Sequence, residues 1–398
     1  MKNYTNFKLD LYTEIVFGKG TEREAARLVK KHGGTKVMLV YGSGSIKKSG
    51  LYDTVVRQLN DAGIAFVEFS GVEPNPRRSY AQKGLEMARA EGVDFLLGLG
   101  GGSSIDTAKA IALGLANGGG FWPFFTGTAP EKMAPVGTIH TIAAAGSETS
   151  RSAVLVDDIG KRRKYGFMYD PCRPVFAIMN PELTYTVSPY QTGAGAADIL
   201  AHTVNRYFAP SRSYLGDQYA AGTMRTVVKY GPIAVRDPQN YEARAELMLA
   251  GSFSHNDITG IGRDGMHSGS EHALEEQLSG VYDTAHGAGL SVVMPAWLQY
   301  LADYGAPMHV ARVAQFALDV FGADADLSDI KAIADDGLDR FRSWLKSIGM
   351  PVTLKELGVP KEDLQAVIDR ACPQGHVVGG FMQLDRDAVA RIFTSCVE

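Results

Sequence analysis

Four side chains in the second half of the chain have the types and spacing of a metal site. Asp198 and His202 are four apart within a helical pattern, so they share one face. His272 and His286 lie fourteen apart, across Glu275, Leu278 and Tyr282. One carboxylate and three imidazoles form a mixed O/N donor set suited to a first-row divalent ion, with room for a substrate oxygen. The chain has nine histidines. A carboxylate four residues from a His is also an ordinary helix-surface pair, so spacing alone leaves both readings open. Context favours the metal. Asp198 sits among Ala194 to Leu200 on a helix with few other charges, and His286 opens the apolar run His286-Gly287-Ala288-Gly289-Leu290. The other histidines, His32, His140, His255, His267, His309 and His376, do not share this spacing. His267 lies near the candidate site without an assignable partner and is read as structural or solvent-exposed.

A second chemical motif is Gly98-Leu99-Gly100-Gly101-Gly102-Ser103-Ser104-Ile105-Asp106. A strand pattern ends, glycines turn the chain, and a helix begins. Glycines let backbone N–H groups approach an anion, and the helix N-terminus adds its positive dipole end, so a pyrophosphate is the natural occupant. The alternative is a plain turn in which Ser103 and Asp106 form a capping box. An earlier glycine turn, Tyr41-Gly42-Ser43-Gly44-Ser45-Ile46-Lys47-Lys48, follows another strand pattern. An enzyme that uses NAD places a carboxylate near such a strand end for the ribose 2′-hydroxyl. This turn has none; its hydroxyls and two lysines suit a 2′-phosphate instead.

The elements that must position these residues fall into two textures. Lys36 to Tyr41, Ala65 to Phe69, Val93 to Leu99, Val136 to Ile142 and Val175 to Met179 read as strands. Gly50 to Gly63 and Ser79 to Gly92 carry helical spacing between them. Alternation of this kind implies parallel strands with helices on both faces. After Pro189, helical patterns follow one another: Thr192 to Tyr207, Gln218 to Val235, Tyr241 to Ser254, Ser270 to Leu278, Gly287 to Ala302, Ala311 to Phe321, Asp329 to Ile348 and Lys361 to Cys372. The expected organisation is an α/β dinucleotide-binding domain at 1–186 and a helical metal-binding domain at 187–398. A length of 398 residues agrees with two cores.

Composition narrows the function classes. Hydrophobic residues make up 45% and charged residues 21%, as in ordinary globular chains. A net charge of -4 gives no electrostatic reason to bind nucleic acid or an anionic membrane. No apolar run is long enough to span a bilayer, and the N-terminus lacks an apolar signal core. Three widely spaced cysteines, Cys172, Cys372 and Cys396, read as reduced thiols of a cytoplasmic protein.

The chain resembles the iron-dependent (group III) alcohol dehydrogenases, in the branch of butanol dehydrogenases and NADPH-dependent aldehyde reductases. The resemblance rests on Thr13-Glu14-Ile15-Val16-Phe17-Gly18-Lys19-Gly20, on the turn from Tyr41 to Gly50, on Val72-Glu73-Pro74-Asn75-Pro76-Arg77 and on Gly100 to Asp106. Its most specific part is Tyr282-Asp283-Thr284-Ala285-His286-Gly287-Ala288-Gly289-Leu290, leading to Pro295-Ala296-Trp297. It implies a Rossmann-like first domain and an all-α second domain in a dehydroquinate synthase-like architecture. By motif, it assigns the metal ligands to Asp198, His202, His272 and His286. It assigns cofactor contacts to Gly42, Ser43, Gly44, Ser45, Asn75, Gly101, Gly102, Ser103, Thr141, Ser150, Lys164 and the segment around Leu183. Members that prefer NAD often carry Asp where this chain has Gly42-Ser43, which supports NADP(H) over NAD(H).

The implied activity is hydride transfer between NADP(H) and a small alcohol or aldehyde, with one Fe2+ or Zn2+ polarising the carbonyl. A homodimer or higher homo-oligomer is implied too. The competing readings are a dehydroquinate synthase-like lyase using NAD and a metal, and a nucleotide sensor with a structural metal. The sequence also departs from the family pattern. Ala145-Gly146-Ser147-Glu148 replaces Thr-Gly-Ser-Glu, Asn180-Pro181 replaces Asp-Pro, and Glu276 stands for the second His of His-x-x-x-His. About two extra residues lie between Arg263 and Glu271. These departures bear on substrate choice more than on reaction type.

Overall fold

The computed structural model describes residues 2–160, 163–263, 269–326, 329–373 and 376–398. His267, set aside above, lies outside the described residues. The chain divides into two compact units, one of residues 10–187 and one of residues 188–398 with residues 1–9.

The strands are β1 (Lys2–Asn3), β2 (Glu14–Phe17), β3 (Lys36–Tyr41), β4 (Ala65–Phe69), β5 (Phe95–Gly100), β6 (Val136–His140), β7 (Ser152–Val156), β8 (Lys164–Met168), β9 (Phe176–Met179) and β10 (Ser211–Arg212). Six of them form one sheet in the order β2-β9-β6-β5-β3-β4, with every neighbouring pair parallel. Alternation along β3 explains why both faces are covered. Val37, Leu39 and Tyr41 enter a core with Leu28, Val55 and Leu59 of the helices Ala25–Lys31 and Leu51–Asp61. Met38 and Val40 enter another with Ala88, Ala108 and Ile111 of the helices Arg78–Ala90 and Gly102–Ala116.

Three strands of this unit fall outside the sequence reading. β2 is an edge strand of four partly buried or exposed residues, without the apolar run that marks the central strands. β7 and β8 pair with each other in an antiparallel hairpin, away from the parallel sheet. From β3 the chain runs to β4 on one side and then returns to β5 on the other. The point where the strand order reverses therefore lies between β3 and β5. In open parallel sheets, ligands bind at the carboxyl ends of the strands at that point. Both glycine turns lie there, one after β3 and one after β5.

The second unit is helical. Its helices include Pro189–Tyr207, Tyr214–Arg236, Tyr241–His255, Glu271–Tyr282, His286–Tyr304 and Ile330–Ser347. Side chains placed just before the helices cap them, as Ser188 Oγ does for Gln191 N at 3.2 Å and Asn240 Oδ1 for Ala243 N at 3.0 Å. Residues Thr192 to Tyr207 are all buried, so Pro189–Tyr207 is a central helix rather than an amphipathic surface one. The pattern read as one helix from Ala311 to Phe321 is a helix at Pro307–Phe316 followed by a π-helical turn at Ala317–Phe321. Residues 1–9 join this unit because β1 pairs in parallel with β10.

Candidate functional site

In the helical unit, Asp198 and His202 stand one turn apart on the central helix, with His202 Nε2 3.3 Å from Asp198 Oδ1. His272, from the helix Glu271–Tyr282, joins them, and the ligand atoms of all three lie within 4.8 Å of one another. His286 is the first residue of its helix and brings Nε2 to 3.9 Å from Asp198 Oδ1. The four residues that spacing nominated thus meet in one cluster, with His202 and His286 both turned toward Asp198 Oδ1. Asp198 and His202 are buried; His272 and His286 are half-buried.

The electrostatics suit a cation. Burial, then the neighbouring His255, His272, Arg206 and His286, hold the His202 pKa well below the usual imidazole value. A neutral imidazole is the ligand form. His272 Nε2 is buried and has no hydrogen-bond partner among the described residues. Three carboxylates, Asp198, Glu271 and Glu275, are buried within this cluster. Carboxylates buried together are costly unless cationic groups compensate them; Arg206 is one such group nearby, and a divalent ion fits the donor set of Asp198 and the imidazoles.

Sequence reasoning passed over three residues here. His255 closes the helix Tyr241–His255 and lays its ring against His202, with centroids 4.1 Å apart. Glu271 Oε1 is 3.0 Å from His272 Nδ1, and Glu275 Oε2 pairs with His286 Nδ1. His255 carries no spacing signal, because its neighbour His202 is distant in sequence. Glu275 lies three residues after His272, a spacing from which it was legible as a neighbour.

In the α/β unit, β5 ends at Gly100, whose φ of +144° only glycine adopts readily. Gly101 caps the helix Gly102–Ala116 without any side-chain bond. This excludes the capping-box alternative. Ser103 lies inside the helix, and Asp106 instead accepts from Ser147 Oγ and from Val154 N at 3.0 Å. A Cβ on Gly101 would meet Ile142 Cγ2 at 2.4 Å, whereas one on Gly102 would meet no atom within 4 Å. Packing therefore explains the first glycine, and an open cradle at a helix N-terminus surrounds the second.

The remaining cofactor candidates line up at strand ends to different degrees. Thr141 follows β6, and its N–H donates to Gly100 O at 3.1 Å. Asn75 adopts a left-handed φ of 52° in the loop after β4. Leu183 lies in the turn Pro181–Thr184 after β9 and packs on the core. Ser150 is fully buried, its hydroxyl 3.0 Å from Ser152 Oγ. It connects to the cradle helix through Lys109, whose buried ammonium donates to Ser147 O at 2.7 Å, Ser150 O at 3.0 Å and Ser152 O at 2.7 Å. Lys164 opens β8 opposite Val156.

The turn after β3 holds a surprise. Its Ser43, Ser45, Lys47 and Lys48 are exposed, as a 2′-phosphate site needs. A carboxylate also stands there, supplied by the neighbouring strand β4. Glu68 accepts from Tyr41 Oη and from Tyr52 Oη and pairs with Lys47 Nζ at 3.2 Å. The hydrogen bonds from Tyr41 and Tyr52 hold the Glu68 carboxyl below its usual pKa. Lys47 is thereby partly neutralised.

Comparison with known proteins agrees with both halves. The profile of the family described as "Iron-containing alcohol dehydrogenase" matches residues 13–181, and that of "Fe-containing alcohol dehydrogenase family, C-terminal" matches residues 192–397. NADH-dependent butanol dehydrogenase A of Clostridium acetobutylicum is 36% identical over 98% of this chain and 98% of its own. NADPH-dependent aldehyde reductase YqhD of Escherichia coli is 30% identical over 92% of each. The crystal structure of NADH-dependent butanol dehydrogenase A from Thermotoga maritima superposes with a TM-score of 0.92 at 35% identity, covering 100% of both chains. Lyase and sensor readings give way to this agreement, and the chain belongs to the iron-containing alcohol dehydrogenase family.

Proposed function

We propose that this chain interconverts small aldehydes and alcohols by hydride transfer, with NADP(H) as preferred carrier and one Fe2+ or Zn2+ held by Asp198, His202, His272 and His286. The observation that carries this reading is the convergence of one buried carboxylate with three imidazoles. The oxidoreductase class is that of the family, and the small-substrate range follows from relatives named for butanol and for aldehydes.

A divalent ion in this donor set supplies Lewis acidity toward a carbonyl or alcohol oxygen. The chain's own residues do the rest. Asp198 provides the formal negative charge, and burial keeps His202 in the neutral, ligating form. Gly101, Gly102 and Ser103 offer helix N-terminal N–H groups to the pyrophosphate, and Thr141 holds the end of β6 against Gly100. These groups bind and orient the carrier and perform no bond chemistry. Gly42 to Ser45 would read the ribose, with Ser43 and Ser45 as donors and Lys48 as the cation left after Glu68 engages Lys47. Asn75, Lys164 and Leu183 complete the proposed cofactor surface, while Ser150, fully buried, serves it only by anchoring Lys109 of the cradle helix.

A second reading, NAD(H) as carrier, is favoured by Glu68 near the end of β4, where a carboxylate can bind a 2′-hydroxyl. Relatives named as NADH-dependent favour it as well. Both Glu68 oxygens are already engaged by Tyr41, Tyr52 and Lys47, so NADP(H) remains the preferred assignment. Assembly as a homodimer or higher oligomer and a cytoplasmic location belong to the same proposal. The three cysteines are free and buried, which suits a reducing compartment. No helix among the described residues is long and apolar enough to cross a membrane. Oxidation of NADPH and of NADH with a panel of aldehydes tests the assignment. Turnover with neither would defeat it, and a clear NADH preference would select the second reading.

A further inference from the structure

We infer that Glu271 and Glu275 are positioning residues that fix the ring tautomers of His272 and His286, so that each imidazole presents Nε2 to the metal. The inference rests on the proposed four-residue metal site and deepens it. Both glutamates are fully buried on one helix, a single turn apart, so their side chains share a face. Each stands against a different histidine. Glu271 Oε1 lies 3.0 Å from His272 Nδ1, and Glu275 Oε2 contacts His286 Nδ1.

A carboxylate oxygen accepts, so the Glu271–His272 hydrogen bond favours the proton on His272 Nδ1 and the lone pair on Nε2, and the close Glu275–His286 ion pair favours the same tautomer at His286. The same Nε2 atoms face the cluster. His272 Nε2 is buried without a hydrogen-bond partner among the described residues, and His286 Nε2 is 3.9 Å from Asp198 Oδ1. Glu271 is itself held. Asn205 Nδ2, from the helix that carries Asp198 and His202, donates to Glu271 Oε1 at 2.7 Å. The longer Asn205 Nδ2 to His272 Nδ1 contact, 3.4 Å, joins two donors and adds nothing. Room for Glu275 is built into the facing helix, because a Cβ on Gly289 would come within 2.5 Å of Glu275 Oε1. A leucine at either position would fill the space without desolvating a charge. Carboxylate–histidine pairs of this kind raise ligand basicity and fix ring orientation.

The test measures Zn2+ affinity of the metal-free, full-length protein by competition with a chromophoric chelator, and the visible spectrum of the Co2+-loaded protein. Wild type is compared with Glu271→Ala, Glu271→Gln, Glu275→Ala, Glu275→Gln and His272→Ala. NADPH affinity and thermal midpoint serve as controls of the fold. The expected result is Zn2+ binding weakened about 10- to 100-fold in the Ala variants, with an altered Co2+ spectrum and unchanged NADPH binding. The Gln variants keep an acceptor of the same shape and should lose less; they keep the test decisive where an Ala variant does not fold. Zn2+ binding and Co2+ spectra like wild type in the Glu variants, with binding lost in His272→Ala, would overturn the positioning role and leave the metal site standing. Wild-type affinity in His272→Ala would remove the metal reading and this inference together.

Discussion

A Cβ atom on Gly287 would fall 1.8 Å from the carbonyl oxygen of Ala194. Glycine is therefore required where the helix His286–Tyr304 crosses the helix Pro189–Tyr207. Ala194 lies one turn before Asp198, and His286 immediately precedes Gly287. The close crossing is what brings His286 Nε2 to 3.9 Å from Asp198 Oδ1. Replacing Gly287 by Ala should separate the helices, destabilise the fold by about 1–3 kcal/mol through overpacking, and weaken metal binding. Thermal unfolding and metal titration of Gly287→Ala check this; unchanged values in both would mean the crossing does not set the site.

The cradle makes a paired prediction. Gly102→Val adds a side chain where no protein atom lies within 4 Å, so the fold should persist. The cofactor pyrophosphate should then be displaced, with its dissociation constant raised roughly 10- to 100-fold, the scale of one lost hydrogen bond to a charged group, about 1.5–3 kcal/mol. Gly101→Ala instead drives a methyl into Ile142 and should lower the thermal midpoint. Fluorescence titration with NADPH separates the two. Wild-type affinity in a folded Gly102→Val protein would show that the loop is only a turn.

Cofactor choice is testable at the turn after β3. One or two charge-assisted bonds to a 2′-phosphate contribute about 1.5–3 kcal/mol each, so NADPH should be preferred about ten- to hundred-fold or somewhat more. Solvent screening of the exposed lysines pulls this toward the low end. Ser43→Asp should reverse the preference by repulsion. Glu68→Gln should strengthen it, because Lys47 loses its carboxylate partner. The measurement is kcat/KM for both cofactors with one aldehyde. An NADH preference in wild type, or no response to Ser43→Asp, would mean the turn does not read the ribose.

Much of this architecture was legible from local pattern. Lys36–Tyr41 and Ala65–Phe69 are strands with the bounds their apolar runs suggest, because buried parallel strands carry a continuous signal. Asp198 and His202 were legible because helical periodicity makes four-residue neighbours face one way. Glu68 was not, because it reaches the turn only through the pairing of β4 beside β3. His255 and Glu271 escaped for related reasons. The His255 ring meets His202 through helix packing, and Glu271 acts through a partner next to it in sequence, a spacing that signals nothing by itself. Edge strand β2 and hairpin β7–β8 lack the long apolar runs that define the centre of the sheet.

The buried cluster at Asp217 makes a stability prediction apart from the chemistry. Arg312 clamps this carboxylate with bonds of 2.6 and 3.0 Å, and the buried Arg263 pairs with it as well. Burial pushes the Asp217 carboxyl up, but hydrogen bonding by Arg312 and the charges of Arg312, Arg263 and Arg212 outweigh it and hold the pKa below the usual value. Asp217→Asn leaves two buried guanidinium groups uncompensated and should cost about 3–5 kcal/mol. As pH falls below about 4, the unfolded chain takes up the proton before the folded one, so the contribution is lost on acidification and kept above it. Wild type should therefore lose more stability than Asp217→Asn between about pH 4 and pH 2. Parallel pH profiles of denaturant midpoints for the two proteins would contradict this.

Turnover measured against metal content in anaerobically purified protein tests whether the four-residue cluster carries the chemistry. Wild type, His272→Ala and His286→Ala are compared by elemental analysis and NADPH oxidation with one aldehyde. Loss of a Lewis acid removes several kcal/mol of transition-state stabilisation, about a hundredfold or more in rate. Wild type is expected to hold one divalent ion per chain, and the variants to lose both metal and turnover with NADPH binding intact. Full activity in metal-free His272→Ala or His286→Ala protein would contradict this expectation.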